Sequence, residues 1–327
     1  MNRGIIAKGI GLLVLIVVFF VPSFIDDLYY IHTLIMVMYY IILALSLRLI
    51  MKLGDVSFAH AAFAAIGAYG SALFVIELDL PFWAAFPLAG IVAALIAVVV
   101  GFPSLRLRGA YFFLVTFAFG QIIVIVLGGY WEDIFGGYTG LVGIPGPDPI
   151  GPWEFISKTP YYYFILSLAL ITGFIMWRID RSRIGLILRS IAERDVLAHS
   201  LGINIMKYRM LAFITGCFFA GLAGSFYAHY VHIVSPESFS FLKSIQIVAF
   251  CVVGGTASIA GPIIGVCALT ALSEIVQEQG PYEFIVYGIA LVVVFLFLPD
   301  GLLGLPKRVS GIAEKLSSVR SSMRSGA

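Results

Sequence analysis

The sequence predicts an all-α, polytopic bundle of membrane-spanning helices, and three observations predict it. The chain of 327 residues is 61% hydrophobic and 12% charged, where soluble domains carry about 25% charged residues; its mean hydropathy is +1.04. Apolar runs about 20 residues long, enough to cross a bilayer, recur along it. Between those runs the basic residues collect in alternate loops. A soluble core has no room for this much apolar surface, so the solvent is lipid. The net charge of +2 says nothing about nucleic acid, and no nucleic-acid partner is expected.

The first run, 9–25, follows Arg3 and Lys8 and resembles a signal peptide. No small-x-small cleavage site follows it, so it reads as a signal anchor. Further candidate spans lie at 30–51, 58–77, 83–102, 110–128, 161–178, 210–232, 243–259, 261–279 and 282–298. Those at 58–77, 243–259 and 261–279 are rich in Ala and Gly and start with polar residues. They read as short, tilted, broken or re-entrant, so the expected count is eight to ten.

One set of loops holds Arg3, Lys8, Arg48, Lys52, Arg106, Arg108, a cluster at 178–209, and Lys307, Arg308, Lys315, Arg320 and Arg324 in the tail. The other set holds Asp26, Asp27, Glu77, Asp79, Glu132, Asp133, Asp148 and Glu154, with Lys158 and Lys243 as its basic members. The positive-inside rule then places both termini in the cytoplasm. One transmembrane domain is expected over 1–305, with a basic cytoplasmic tail over 306–327.

The longest non-cytoplasmic connection, 129–160, contains GGYTGLVGIPGPDPIGPW. Its glycines and prolines exclude a regular helix over 136–152. Tyr138, Leu141, Ile144 and Trp153 are not the composition of a disordered linker, so a packed cap over the outer mouth is expected. A span at 30–51 precedes the Ala/Gly-rich GDVSFAHAAFAAIGAYG, and a span at 210–232 precedes SPESFSFLKSIQIVAFCVVGG. By the charge pattern these pairs run in opposite directions, the inverted-repeat arrangement of many transporters.

Ten of the 38 charged residues fall within 178–209, a segment that nonetheless reads as a helix. From Arg183, the residues Ile184, Ile187, Leu188 and Ile191 share one helical face. Arg189, Glu193 and Arg194 lie off it, Leu197 and Leu201 continue it, and Gly202 ends it as a C′ residue does. Such a stripe needs something to rest on, either the bilayer surface or a groove in a partner.

No P-loop, HExxH or recognisable catalytic Ser/His/Asp motif occurs in the sequence, so no catalytic or metal role is expected. Paired carboxylates, which mark many ion-coupled carriers, are missing from the apolar runs. His60, Gln121, His229, Gln246 and Glu274 are the polar candidates inside spans; His229 and Glu274 sit near span ends, while His60 or Gln121 lies deep enough to line a wet pathway. The texture of the flanking segments adds Ser57, Phe63, Tyr69, Gly254, Gly255 and Pro262 to that pathway set. GGTASIAGP (254–262) breaks a helix and reads as a cytoplasmic turn, a part of the pathway, or both. Gly216, Ala220 and Gly224, four apart, read as a face for close internal helix packing, as do Gly261 and Gly265. Cys217, Cys251 and Cys267 lie in apolar runs and read as small packing residues.

These segments resemble a family. RIGLILRSIAERDVLAHSLGIN (183–204) and AGLAGSFYAH (220–229) look like the cytoplasmic loop and following span of permeases of branched-chain amino acid ABC transporters, the LivM type. GDVSFAHAAFAAIGAY (54–69), RLRGAYFFLVTFAFGQII (106–123), GGYTGLVGIPGP (136–147) and VVGGTASIAGPIIGV (252–266) resemble that family's segments in the same order, from about residue 40 to 305. Two features depart from it. The E-A-A-x-x-x-G loop signature of ABC permeases is reduced to Ala198 and Gly202, with Val196 and Leu197 in place of Glu and Ala. Thr139 is displaced within its glycine-rich loop.

The resemblance implies half of a translocation pathway in a bacterial inner membrane. It implies pairing with a second homologous permease, two cytoplasmic ABC ATPase subunits and an extracytoplasmic amino-acid-binding protein. ATP is then used by the partner subunits, with no cofactor in this chain. Ile184, Ile187, Leu188, Arg189, Ile191, Glu193, Leu197, Ala198 and Gly202 become the expected ATPase-coupling residues, with the Ile/Leu stripe in the ATPase groove. A urea or amide permease of the same architecture, a stand-alone ion-coupled carrier, and a membrane scaffold or enzyme are the alternatives.

Overall fold

The computed structural model describes residues 17–23, 27–149, 151 and 154–277, with isolated positions at 285, 288–289, 292 and 302. Most of the expected span at 9–25, the one at 282–298 and the basic tail 306–327 lie outside the described residues. The principal helices are α1 (Leu28–Met51), α2 (His60–Ile76), α3 (Phe82–Ser104), α4 (Ala110–Gly129), α5 (Lys158–Arg181), α6 (Arg183–Ser200), α7 (Ile205–Val231), α8 (Phe241–Gly254) and α9 (Ala260–Gln277). Among the described residues six helical segments are long and apolar enough to cross a membrane, and α2 and α9 are shorter apolar helices. The eight expected spans between 30 and 279 are therefore helices. The Ala/Gly-rich three have 17 residues in α2, 14 in α8 and 18 in α9, and α8 reaches spanning length only with the 3-10 turn before it, Pro236–Phe239.

The centre of the bundle is α7, against which α2 and α3 pack most extensively. Between helices in lipid, apolar burial supplies little drive, and close van der Waals packing supplies more. A side chain at Gly224 would strike the backbone of Ala64, and one at Gly221 would meet Ala93 and Ala89. The Gly216–Ala220–Gly224 spacing is thus an internal packing face. On α3, Ala85, Ala89, Ala93 and Ala97 form the matching buried stripe, while Leu95, Val98, Val99 and Phe102 face outward. The backbones of α8 and α9 approach in the same way at Gly254, Gly261 and Gly265. Cys217 and Cys251 are buried as expected, but Cys267 is exposed on the outer side of α9.

The two ends of the bundle differ in chemistry. At one end, Arg48, nearly fully buried, donates from Nη2 to Asp180 at 2.8 Å and from Nε to the Thr256 carbonyl at 2.9 Å. Lys52 pairs with the other oxygen of Asp180. Arg209 donates to Asp55 at 2.6 Å and to the Leu105 carbonyl at 2.7 Å, and Asp55 also accepts from the Gly109 amide at 3.0 Å. These contacts gather the C-terminal ends of α1, α3 and α5, the start of α7, and the α8–α9 turn. The GGTASIAGP segment is that turn, so its carbonyls answer a buried arginine.

The opposite end is covered by the Gly/Pro connection. A one-turn helix, Glu132–Phe135, and a 3-10 turn, Gly137–Thr139, lead into β1 (Leu141–Val142), which pairs antiparallel with β2 (Ile233–Val234). Among the described residues this two-residue ladder is the one strand pairing in a fold expected to be all-α. It forms because the connection cannot continue as a helix through its glycines and prolines, and its extended backbone needs partners. His232 and His229 bond the Ile144 and Pro145 carbonyls at 2.8 and 2.6 Å. Asp148 accepts from the Phe82 amide at 2.7 Å. The connection is a packed cap over α3 and α7, as its composition predicts.

Candidate functional site

The charged segment folds as α6, linking α5 to α7 at the ion-paired end. Ser182 caps it, its hydroxyl accepting from the Ile184 amide at 3.2 Å. At its other end the Ile203 amide bonds the Ala198 carbonyl at 3.2 Å and the Gly202 amide bonds that of His199 at 2.9 Å. This is a Schellman closure, and Gly202 supplies the required left-handed backbone with φ +78°. Helix start and stop therefore match the sequence pattern.

The interior of α6 corrects the expectation of one continuous helix. Arg194 leaves the helical region (φ −154°, ψ 95°) and divides α6 in two. In the first half Leu188 and Ile191 are buried against the chain's own bundle, with Ile184 and Ile187 packed beside them. Ala198 is buried too. The regular stripe is thus largely covered by α5 and α7, with Ile184 and Ile187 only partly buried. Val196, Leu197 and Leu201 are exposed, Leu201 at 81%, and Arg189, Glu193 and Gly202 are exposed with them.

The second half of α6 borders an open groove of about 640 Å³, lined by Val196, His199, Gly202, Asn204 and Met206 among others. Arg108, from the α3–α4 loop, forms an ion pair with Asp195 that ties this half of α6 back to the bundle. Local desolvation opposes charge on Asp195, but the guanidinium beside it holds the carboxyl below the usual carboxylate range. On the α1 side Lys52 has its ammonium pKa lowered by burial, an effect that the hydrogen bond to Asp180 partly offsets.

The expected pathway residues do not form one site. Ser57, His60, Phe63 and Tyr69 are buried within the bundle. His60 Nε2 meets the Ser46 hydroxyl at 2.7 Å, Phe63 packs on Phe119 and Phe213, and Tyr69 donates to the Val234 carbonyl at 3.1 Å. Gln121 is half-buried on α4, and Gly254, Gly255 and Pro262 lie around the α8–α9 turn.

A polar cleft missed by sequence reasoning lies elsewhere, among α1, α8 and α9. It measures about 320 Å³, and its walls include His32, Thr33, Lys243, Thr270 and Glu274. Glu274 accepts from the hydroxyls of Tyr29 and of Thr33, the latter at 3.3 Å. The signal available in sequence was Glu274, read there as near a span end, and Lys243, counted there with the loop residues.

A family model described as branched-chain amino acid transport system / permease component matches residues 29–298. The chain is 33% identical over 291 residues to the high-affinity branched-chain amino acid transport system permease protein LivM of Salmonella typhimurium, covering 82% of this chain and 68% of that one. To LivM of Escherichia coli it is 32% identical over 289 residues, covering 81% and 68%. To LivH of Escherichia coli it is 33% identical over 147 residues, 44% of this chain and 46% of that one. No solved structure matches it.

Proposed function

Because the chain belongs to the family of branched-chain amino acid transport permease components, we propose that it forms half of the translocation pathway of an ATP-binding-cassette importer. Its substrate is a branched-chain or closely related amino acid. It sits in the inner membrane as a single permease domain with both termini in the cytoplasm and the 129–160 cap outside. The α1–α2 and α7–α8 pairs form the inverted core. A second permease completes the pathway, an extracytoplasmic binding protein delivers the amino acid, and two ATPase subunits hydrolyse ATP, which this chain does not.

The observation that carries the reading is the exposed apolar edge of α6, Val196, Leu197 and Leu201, standing beside an open groove at the end of the molecule that holds the basic clusters. Exposed apolar groups outside the lipid-facing belt call for a partner. The ATPase docks on this second half of α6 and its groove, with Arg189 and Glu193 as flanking polar contacts. Movement of the ATPases on binding ATP reaches the bundle through two routes. Asp195 and Arg108 couple α6 to the α3–α4 loop. Asp180, just before α6, couples it through Arg48 to the α8–α9 turn.

Purification of the tagged full chain in mild detergent tests the reading. Two P-loop ATPases and a second permease are expected with it, and the reconstituted assembly is expected to take up leucine only with ATP and the binding protein. Concentrative leucine uptake by the lone chain under a proton gradient would overturn it.

A further inference from the structure

The cleft among α1, α8 and α9 holds a cation and an anion that do not meet. Lys243 lies 3.3 Å from the neutral Gln246 Oε1, and Glu274 is bonded by the hydroxyls of Tyr29 and Thr33. Among the described residues neither is in an ion pair. Both stand near helix ends, Lys243 in the first turn of α8 and Glu274 toward the end of α9, and partly buried charges at such positions often pair or serve a ligand. Here they stand on the walls of one cavity, each steadied by neutral groups. The hydroxyl of Thr270, on the same wall, is buried without a hydrogen-bond partner among the described residues, which is a cost unless something in the cleft supplies one.

Next to this cleft is a smaller cavity of about 120 Å³, and the two share Met36, Tyr40 and Lys243. Its other walls include Tyr39, Leu43, Phe239 and Ile247, so it is mainly apolar. A dry apolar cavity of about 150 Å³ takes up benzene, so this one matches a short branched aliphatic group. The polar cleft is itself at the lower end of ligand-site volumes, which run from about 300 Å³ upward.

We propose that the two cavities together form a binding site for a zwitterionic α-amino acid in transit. Glu274 receives the ammonium group, Lys243 the carboxylate, and the chamber beside Ile247 the branched side chain. A ligand with a single charge would leave one of the two residues unanswered, and a purely apolar ligand would leave both. The proposal rests on the importer reading for its transport role and supplies the substrate-selecting residues that reading lacks.

The test uses the assembled transporter in nanodiscs, with tritiated leucine as the probe for both direct binding and uptake. Lys243→Gln and Glu274→Gln are each expected to weaken leucine binding about tenfold or more, with Lys243→Arg retaining most of it. Isoamylamine and isovalerate, each with one charge, should compete poorly. Ile247→Phe fills the apolar chamber and is expected to shift the preference for leucine over alanine by about tenfold toward alanine. That ratio does not depend on how much protein folds. Binding unaffected by the Lys243 and Glu274 changes, or a leucine-to-alanine ratio unmoved by Ile247→Phe, would overturn the proposal. Leucine binding with this residue dependence but no ATP-driven uptake would sink the importer reading and leave the site standing. ATP-driven uptake with no such dependence would do the reverse.

Discussion

Arg48 and Arg209 show how single residues hold a lipid-embedded bundle in register. Each is nearly fully buried, and each bonds both a carboxylate and a backbone carbonyl from a separate part of the chain. A guanidinium suits this role because its fork can serve two acceptors at once. A buried ion pair is not a large net source of stability, since desolvation cancels much of the attraction, but removing one partner strands the other. Asp55→Ala is therefore expected to destabilise the protein by about 3 to 5 kcal/mol, because it leaves Arg209 without its carboxylate and the Gly109 amide without its acceptor. Thermal unfolding of the purified variant in detergent measures this, and a melting temperature equal to that of the unchanged chain would refute it. Asp195→Ala should have a much smaller effect on stability, because its pair with Arg108 is partly exposed and screened by solvent.

At the scale of the element, α6 separates what a pattern states from what it leaves open. Its start at Arg183, its apolar spacing and its end at Gly202 arise from residues next to one another, and the structure has the helix begin at Arg183 and close at Gly202. The spacing says that a face is covered but not by what. Ile184, Ile187, Leu188 and Ile191 face α5 and α7, and the break at Arg194 has no Gly or Pro to announce it. The same limit applies to the cleft, whose charges come from α8 and α9 and whose walls include α1. Adjacency between helices distant in sequence is set by packing at Gly254, Gly261 and Gly265, and local periodicity does not encode it. The small-residue faces were legible because close approach demands a residue type at a fixed spacing. The two halves of α6 should accordingly respond differently to mutation. Leu188→Ala removes a buried side chain and is expected to cost about 2 to 5 kcal/mol of stability. Leu197→Asp alters an exposed one, should leave the melting temperature within about 0.5 kcal/mol equivalent, and is expected to weaken ATPase association by about 2 kcal/mol. Unfolding curves and pull-down with the ATPase partners distinguish the two. ATPase binding unaltered by Leu197→Asp would remove that edge of α6 from the docking surface.

Across the whole molecule, the fold carries a charge polarity from end to end. Arg106, Arg108, Arg178, Arg181, Arg183, Arg189, Arg194 and Lys207 are exposed at the ion-paired end, while Glu77, Asp79, Glu132, Asp133 and Glu154 are exposed at the capped end. Translocating basic loops against the membrane potential is unfavourable, and the cytoplasmic leaflet is anionic, which supports the proposed orientation with the basic end in the cytoplasm. Packing reinforces this polarity: α1 and α7 run antiparallel, with His32 against Tyr230 near one end and Asp55 against Arg209 near the other. A flipped chain would also have to carry α6, with its charges and exposed leucines, across the bilayer. Thiol labelling tests the orientation directly. In a Cys267→Ser background the remaining cysteines, Cys217 and Cys251, are buried. Ala192→Cys then reports on α6 and Tyr138→Cys on the cap, both at exposed positions. A membrane-impermeant maleimide is expected to modify Tyr138→Cys in spheroplasts and Ala192→Cys only after the membrane is opened. The reverse pattern would invert the assignment and move the α6 groove away from any cytoplasmic ATPase, so the labelling bears on the coupling proposal as well as on the topology.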